Sequence, residues 1–363
     1  LSTSRAVSFE IEHTRAAVFD LTNQCLASAI DGAPAFIIVD EELWPVYGAA
    51  IERYAQTVLD CRRVMCVPGN EATKSLSRVE ALCDAAVELH LPRHGVFIAV
   101  GGGTILDAVG FAASIYRRGV AYLRIPTTLI GMIDVGVGIK QAINFGRKKN
   151  VLGSFYPPLR TINDVRFLNS LPARQLACGI AEAIKVALIC DARLFESLEE
   201  HAVTLIASGF SQPKDAATDI LMRSEIAMMK QLQSDLYESK LKRLVDFGHS
   251  FSPVIETSTN YAVAHGEAVA LDILLSTAIA ARRAMCAPDL ISRLARLYAK
   301  VGLPTSHPSM SPLLMERALI DARAHRGGAL NLVVPTGIGS AAFLQDVNYD
   351  EIASALELLD VPR

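Results

Sequence analysis

Three short, largely apolar runs, each ending in residues that turn or cap a chain, constrain this sequence more than any other feature. Ala35-Phe36-Ile37-Ile38-Val39 ends in Asp40, and Gly95-Val96-Phe97-Ile98-Ala99-Val100 ends in Gly101-Gly102-Gly103. Ala121-Tyr122-Leu123-Arg124-Ile125 ends in Pro126-Thr127-Thr128. Such runs read as strands buried on both faces. Residues 45–58, 72–90 and 104–117 carry apolar side chains at helical spacing. Parallel neighbours need a long crossover, usually a helix, so alternation of this kind predicts a mostly parallel sheet.

After Leu168 the texture changes. Residues 172–205, 214–234, 266–284, 288–302 and 312–324 are long, Ala/Leu-rich and helical in period, and only Leu330-Asn331-Leu332-Val333-Val334 still reads as a strand. A chain of 363 residues is long for one core. The expected architecture is therefore α/β, with an N-terminal Rossmann-like parallel-sheet domain over 1–168 and a mainly α-helical C-terminal domain over 169–363. No repeat, low-complexity tract or flexible linker divides them, so tight packing with a functional cleft between the domains is expected.

The glycine turn carries the first chemical signal. Gly101-Gly102-Gly103-Thr104-Ile105-Leu106-Asp107 follows a strand and opens a helix. Glycines there let backbone N–H groups approach a pyrophosphate, whose charge a helix N-terminus favours. The spacing is not GxGxxG, and a plain tight strand-to-helix turn explains it too. Asp40 can bind ribose hydroxyls or cap the helix after it. Thr127 and Thr128 are open to the same two readings. Ligands of parallel sheets sit at the carboxyl ends of strands, and these features occupy three such ends. Together they point to a nicotinamide dinucleotide, NAD.

A polar stretch follows from Asp134 to Asn150, with Lys140, Asn144, Lys148 and Lys149; Arg117 and Arg118 lie just upstream. These cations suit a phosphate, or a solvated loop. Glu182 and Lys185, three apart in an otherwise apolar helix, are a surface ion pair or a site whose charges need buried partners. His249 and His265 each stand beside a glycine at the edge of an apolar segment. One carboxylate and two imidazoles suit a catalytic Zn²⁺ with open positions; two core or capping histidines fit the same spacing. Asp246-Phe247-Gly248 is no kinase signal, because the other kinase motifs are missing.

Composition removes other classes. The formal charge of −3 leaves no basic excess for nucleic acid as the main partner. No apolar run is long enough to span a bilayer, and the first residues lack the pattern of a secretion leader. Seven cysteines without short pair spacings read as reduced thiols of a cytoplasmic protein.

Taken together, these blocks resemble the sugar phosphate cyclase superfamily, which includes 3-dehydroquinate synthase. The likeness runs along almost the whole chain. It rests on Gly101–Asp107, Tyr116-Arg117-Arg118-Gly119-Val120, Ile125-Pro126-Thr127-Thr128-Leu129, Asp134 through Lys140, Lys149-Asn150-Val151-Leu152-Gly153, Gly179–Lys185, Asp246–His249 and His265-Gly266-Glu267. The resemblance implies NAD⁺ contacts at Asp40, Glu71, Lys74, Gly102, Gly103, Thr104, Asp107, Thr127, Thr128, Lys149 and Ser170. It implies a Zn²⁺ or Co²⁺ site at Glu182, His249 and His265. Asp107, Asp134, Lys140, Lys149, Asn150, Lys185 and Glu238 fall at active-site positions, and Arg118, Asp246 and His325 join them. A homodimer is implied as well.

Departures from the dehydroquinate synthase pattern narrow the branch. The second histidine of Gly-His-Thr-x-Gly-His is Pro253, the asparagine three residues before the metal histidine is Asp246, an upstream lysine is Met228, and Gly-Gly-Lys is Gly138-Ile139-Lys140. These changes look like cyclases acting on sedoheptulose 7-phosphate. Asp246 paired with His325 resembles the 2-epi-5-epi-valiolone synthases, with sister cyclases making 2-epi-valiolone or demethyl-4-deoxygadusol as the nearest rivals and 3-dehydroquinate synthase as a further alternative. The implied reaction is transient oxidation by NAD⁺, phosphate elimination, re-reduction, ring opening and intramolecular aldol closure. A metal-dependent NAD alcohol dehydrogenase and a non-catalytic NAD sensor are the rivals from other classes.

Overall fold

The computed structural model describes residues 7–360, apart from 147, 326 and the side chains of 325 and 360. The chain forms two compact units, Leu1–Leu168 and Asn169–Arg363.

The first unit contains β1 (Glu10–His13), α1 (Cys25–Ile30), β2 (Ala35–Asp40), α2 (Trp44–Val58), β3 (Cys61–Val67), α3 (Leu76–Glu88), β4 (Val96–Gly101), α4 (Gly103–Ile115), β5 (Ala121–Pro126), β6 (Lys140–Phe145), β7 (Lys148–Phe155) and β8 (Arg160–Asn163). Six strands form one sheet in the order β1-β8-β5-β4-β2-β3, and all their pairings are parallel. Successive side chains of a strand point to opposite faces. Phe36, Ile38, Phe97, Ala99 and Tyr122 accordingly pack with α3 and α4, whereas Ile37, Val39, Ile98, Val100, Leu123 and Ile125 pack with α1 and α2. This double burial is why the central strands read as nearly unbroken apolar runs.

The strand order reverses at β2 and β4. From β2 the chain moves outward to β3, and from β4 it moves the other way to β5, which opens the crevice at the carboxyl ends where such sheets bind ligands. Asp40 ends β2 there, and Gly101 ends β4 opposite Pro126 of β5.

The second unit contains α5 (Ala173–Cys190), α6 (Ala192–Ala207), α7 (Lys214–Leu232), α8 (Ser252–Ser258), α9 (His265–Arg282), α10 (Asp289–Val301), α11 (Pro312–His325), β9 (Leu332–Gly337), β10 (Ser340–Leu344) and α12 (Tyr349–Asp360). Helices α5 and α9 pack on each other and are buried almost throughout, from Leu176 to Ile189 and from Gly266 to Ala280. Both are apolar nearly all round, as helices at the centre of a bundle must be.

The structure corrects several expectations. The helix expected over 172–205 is two helices. Asp191 is extended, and its carboxylate accepts the Leu194 N–H at 3.1 Å, ending α5 and capping α6. The polar stretch 134–150 is not a loop, since most of it forms the antiparallel β6–β7 hairpin. Strand β3 leaves no apolar run in the sequence because Arg62 and Arg63 interrupt it, as charges commonly do on an edge strand. The expected C-terminal strand has a partner, β10, in a hairpin. Among the described residues, no helix is long and apolar enough to cross a membrane.

Candidate active site

At the carboxyl end of the sheet in the first unit, Gly102 precedes α4, and no side chain caps that helix. The first-turn N–H groups and the helix dipole there favour an anion. Space, not left-handed backbone, demands the glycines. A Cβ on Gly101 would lie 2.8 Å from the Ile105 Cβ, and one on Gly102 3.1 Å from the Thr128 Cγ2. The Thr104 hydroxyl donates to the Gly69 carbonyl, tying the turn after β3 to the start of α4. Asp40 accepts the Glu42 N–H at 3.2 Å and therefore caps the following turn. Burial pushes its carboxyl up from the usual carboxylate range. Thr128 accepts the Gly131 N–H at 3.0 Å, and Thr127 donates its backbone N–H to the Gly101 carbonyl at 3.0 Å.

Five polar residues from three separate segments meet beside this turn. Lys74 Nζ lies 2.6 Å from Asp107 Oδ2 on α4 and donates to Asn150 Oδ1 at 2.7 Å. Asn144 donates to Glu71 Oε1 at 2.8 Å and accepts the Asn150 N–H at 3.0 Å. The hairpin thereby joins Glu71, Lys74, Asp107 and Asn150. It also separates Lys140 from Lys149, which stand at opposite ends of the ladder, on the order of 14 Å apart along the strand.

Asp134 lies in the π-helical turn Gly131–Val135, which leads to Lys140 at the start of β6. Buried Arg124 holds this segment, with Nη1 donating to the carbonyls of Val135 and Gly138, each at 2.8 Å. Arg118 lies away from the glycine turn. It follows the far end of α4, with left-handed backbone, about 18 Å along the helix from the glycine turn. Ser170 closes the turn Val165–Ser170 ahead of α5.

The second unit gathers its own cluster. Glu182 and Lys185 are not a surface pair: both are buried in the middle of α5, with Nζ 2.6 Å from Oε2. His249 follows Gly248, whose φ of +74 suits glycine, in the turn before α8. His265 opens α9. Gly266 lets that helix start against α5, since a Cβ there would lie 2.4 Å from the backbone of Cys178. Arg174 of α5 grips Glu267 through both carboxylate oxygens, at 2.6 and 2.7 Å, and Glu267 also accepts the Ala264 N–H at 2.8 Å. These contacts bring His265 Nε2 to 3.1 Å and His249 Nε2 to 3.7 Å from Glu182 Oε1.

The donor set fits a divalent cation. One ligand atom from each of Glu182, His249 and His265 lies within 4.8 Å of the others. Both Glu182 oxygens are buried, Oε2 against Lys185 and Oε1 toward the two Nε2 atoms. Nδ1 of His249 is taken by the Phe247 carbonyl and Nδ1 of His265 by Glu256, each at 3.0 Å. Burial opposes ionisation of Glu182, but Lys185 and the two imidazoles outweigh it and hold the carboxyl well below the usual range. An anionic oxygen facing two Nε2 atoms is what a Zn²⁺-type ion takes up, and an open position would remain for substrate oxygens.

Glu238 and Asp246 meet through Arg243, which is in ion contact with Glu238 and lies 2.7 Å from Asp246 Oδ1. Burial works against the Arg243 charge, and these two carboxylates reverse that effect and raise its pKa. Lys242 sits 4.9 Å over the Phe343 ring. The sequence-predicted His325 ends α11, and its side chain lies outside what the structure describes.

Two buried carboxylates of this region escaped the sequence reading. Asp272 accepts the consecutive backbone N–H groups of Ser250, Phe251 and Ser252 at 2.8, 2.5 and 2.9 Å, fixing the turn that follows His249. Glu256 holds His265. The usable signal was a single acid inside Ala268-Val269-Ala270-Leu271-Asp272-Ile273-Leu274-Leu275, because a charge in a buried helix needs partners.

Comparison with known proteins identifies the family. The model of the 3-dehydroquinate synthase N-terminal domain matches residues 64–178, and that of the 3-dehydroquinate synthase C-terminal domain matches 179–323. A 2-epi-5-epi-valiolone synthase of Streptomyces glaucescens is 41% identical over 350 residues, 94% of this chain and 89% of that protein. The solved structure of ValA, a 2-epi-5-epi-valiolone synthase from Streptomyces hygroscopicus subsp. jinggangensis 5008 with NAD⁺ and Zn²⁺ bound, superposes with a TM-score of 0.94 at 39% identity, covering 99% of this chain and 98% of that one. A 2-deoxy-scyllo-inosose synthase complexed with carbaglucose-6-phosphate, NAD⁺ and Co²⁺ superposes at 0.79 with 25% identity, covering 97% of this chain and 95% of that one. With its parallel sheet, its glycine turn and its Glu182, His249 and His265 cluster, the chain belongs to the 3-dehydroquinate synthase-like family of sugar phosphate cyclases, in which it is similar to the 2-epi-5-epi-valiolone synthases.

Proposed function

We propose that this enzyme cyclises sedoheptulose 7-phosphate to 2-epi-5-epi-valiolone and releases phosphate. The observation that carries the proposal is similarity along nearly the whole chain to synthases of that name. Glu182, His249 and His265 are the residues that would hold Zn²⁺. Asp40, Glu71, Lys74, Gly102, Gly103, Thr104, Asp107, Thr127, Thr128, Lys149 and Ser170 would hold NAD⁺. When bound, NAD⁺ supplies a reversible hydride acceptor and the metal a Lewis acid.

The chain's own groups prepare this chemistry. Lys185 keeps Glu182 ionised within the buried helix α5, so that its oxygens serve as ligands. Lys74 holds Asp107 and Asn150 in one place beside the glycine turn. Arg124 sets the segment that bears Asp134 and Lys140. Arg118, Lys140, Lys149 and His325 are assigned to oppose phosphate charge. Asp246 and Glu238, oriented by Arg243, are assigned to substrate hydroxyls. We further assign the enzyme to the cytoplasm as a homodimer, which sedimentation of the purified protein checks for oligomeric state.

The test is to incubate purified protein with sedoheptulose 7-phosphate, NAD⁺ and Zn²⁺, follow phosphate, and identify the cyclitol by NMR. Phosphate release without net NADH is expected. Turnover of the dehydroquinate precursor and none of sedoheptulose 7-phosphate overturns the assignment, and net NADH accumulation points to a dehydrogenase.

A further inference from the structure

We infer that Glu256 is a positioning residue of the cation site: its buried carboxylate orients His265 and selects Nε2 as the ligand atom. The inference rests on the metal reading of Glu182, His249 and His265 given above.

The geometry of one imidazole carries the inference. His265 lies between two buried carboxylates, with Glu256 Oε1 at 3.0 Å from Nδ1 and Glu182 Oε1 at 3.1 Å from Nε2. A neutral imidazole has one N–H, so it can donate to only one of them. The other nitrogen then turns a lone pair toward an anionic oxygen, and those two acceptors need a cation in common. Donation from Nδ1 to Glu256 leaves the Nε2 lone pair on the side of Glu182 and His249, where the other ligand atoms are. Glu256 thereby selects the tautomer, stops rotation of the ring, and makes Nε2 a stronger donor. His249 is held differently, because its Nδ1 meets the neutral carbonyl of Phe247. A carboxylate polarises an imidazole more than a carbonyl does, so the two histidine ligands are unequal.

Glu256 can act this way only if α8 is fixed. Asp272 of α9 binds three successive N–H groups at the start of α8, and Glu256 of α8 binds His265 at the start of α9. Each helix holds the other's first residues. A metal histidine stands just before α8 (His249) and another at the first position of α9 (His265), so this reciprocal brace fixes both imidazoles.

The whole 363-residue chain tests this through Glu256→Gln, which keeps the shape and removes the charge, and Glu256→Ala, which removes the acceptor. Zinc affinity is measured by competition with a chromophoric chelator, alongside thermal melts of the metal-free proteins and the visible spectrum of the Co²⁺-loaded ones. We expect zinc affinity to fall about 10-fold for Glu256→Gln and about 100-fold for Glu256→Ala. The Co²⁺ bands should shift, and NAD⁺ affinity should stay unchanged. Zinc affinity within about two-fold of wild type in Glu256→Gln, with unshifted Co²⁺ bands, overturns the inference whether or not Glu256→Ala folds. Wild-type protein that takes up no zinc overturns the metal reading first, and this inference with it.

Discussion

Each unit contains a lysine–carboxylate contact of the same length. Lys74 Nζ lies 2.6 Å from Asp107 in the first unit, and Lys185 Nζ lies 2.6 Å from Glu182 in the second. Their surroundings differ. Lys74 shares its charge with the neutral amide of Asn150, and Asp107 keeps some exposure. That contact braces a turn, a helix and a hairpin against one another. Glu182 is sealed from solvent, and two imidazoles occupy its other side. An ion pair's length therefore says little about its role; its remaining neighbours decide whether it braces a fold or prepares a ligand.

The comparison breaks most readily at Glu182. Glu182→Gln leaves Lys185 buried without its counter-charge, which costs about 3–5 kcal/mol of stability. It also removes a ligand, so bound zinc and phosphate release should vanish together, as read by metal analysis and a phosphate assay. Full activity in the metal-stripped variant would refute the metal site. NAD⁺ affinity should survive.

Asp272 offers a pH-dependent test in the same unit. Burial raises its carboxyl to about 6, although backbone N–H groups and Ser276 pull the other way. The folded value is above the unfolded one of roughly 4, so this group favours folding below the unfolded pKa, and that contribution is lost as pH rises toward and through about 6. A rise of that size corresponds to about 3 kcal/mol across that window. Asp272→Asn should flatten this part of the stability–pH profile in urea unfolding. An unchanged slope would assign it to other groups.

Lys74→Met gives the reverse dissociation. Asp107 loses its partner at a partly buried site, for about 1–3 kcal/mol, and NAD⁺ should bind more weakly while zinc content stays at the wild-type level. Calorimetric titration with NAD⁺ and metal analysis check the two halves. Asn150→Ala is the mildest change. It removes one shared hydrogen bond and should cost about 1 kcal/mol, with a smaller loss of NAD⁺ affinity by the same titration. A larger effect than that of Lys74→Met would make the amide the principal partner of the cluster.

The parallel sheet and its glycine turn were legible because double burial leaves a one-dimensional mark: runs such as Phe36–Val39 and Val96–Val100 have little polar interruption. Glu182 and Lys185 were visible only as an oddity of an apolar helix. Their burial, and the choice between an ion pair and a ligand set, depends on His249 and His265 arriving from other segments. The β6–β7 hairpin was hidden because Lys140 through Asn150 has a loop's composition, and pairing across the ladder satisfies its backbone regardless. Asp191 falls within a continuous helical period, and only its extended backbone reveals it as a cap.

From sequence alone came the α/β alternation, the glycine turn at a strand end and the resemblance to the sugar phosphate cyclases, each encoded in residues near one another in the chain. Tertiary structure decided which charges are buried, that Glu256 and Asp272 brace the two imidazoles, and that Arg118 stands away from the glycine turn. Those facts depend on contacts between residues far apart in sequence, and burial there turns ordinary acids and lysines into groups that must be paired or coordinated.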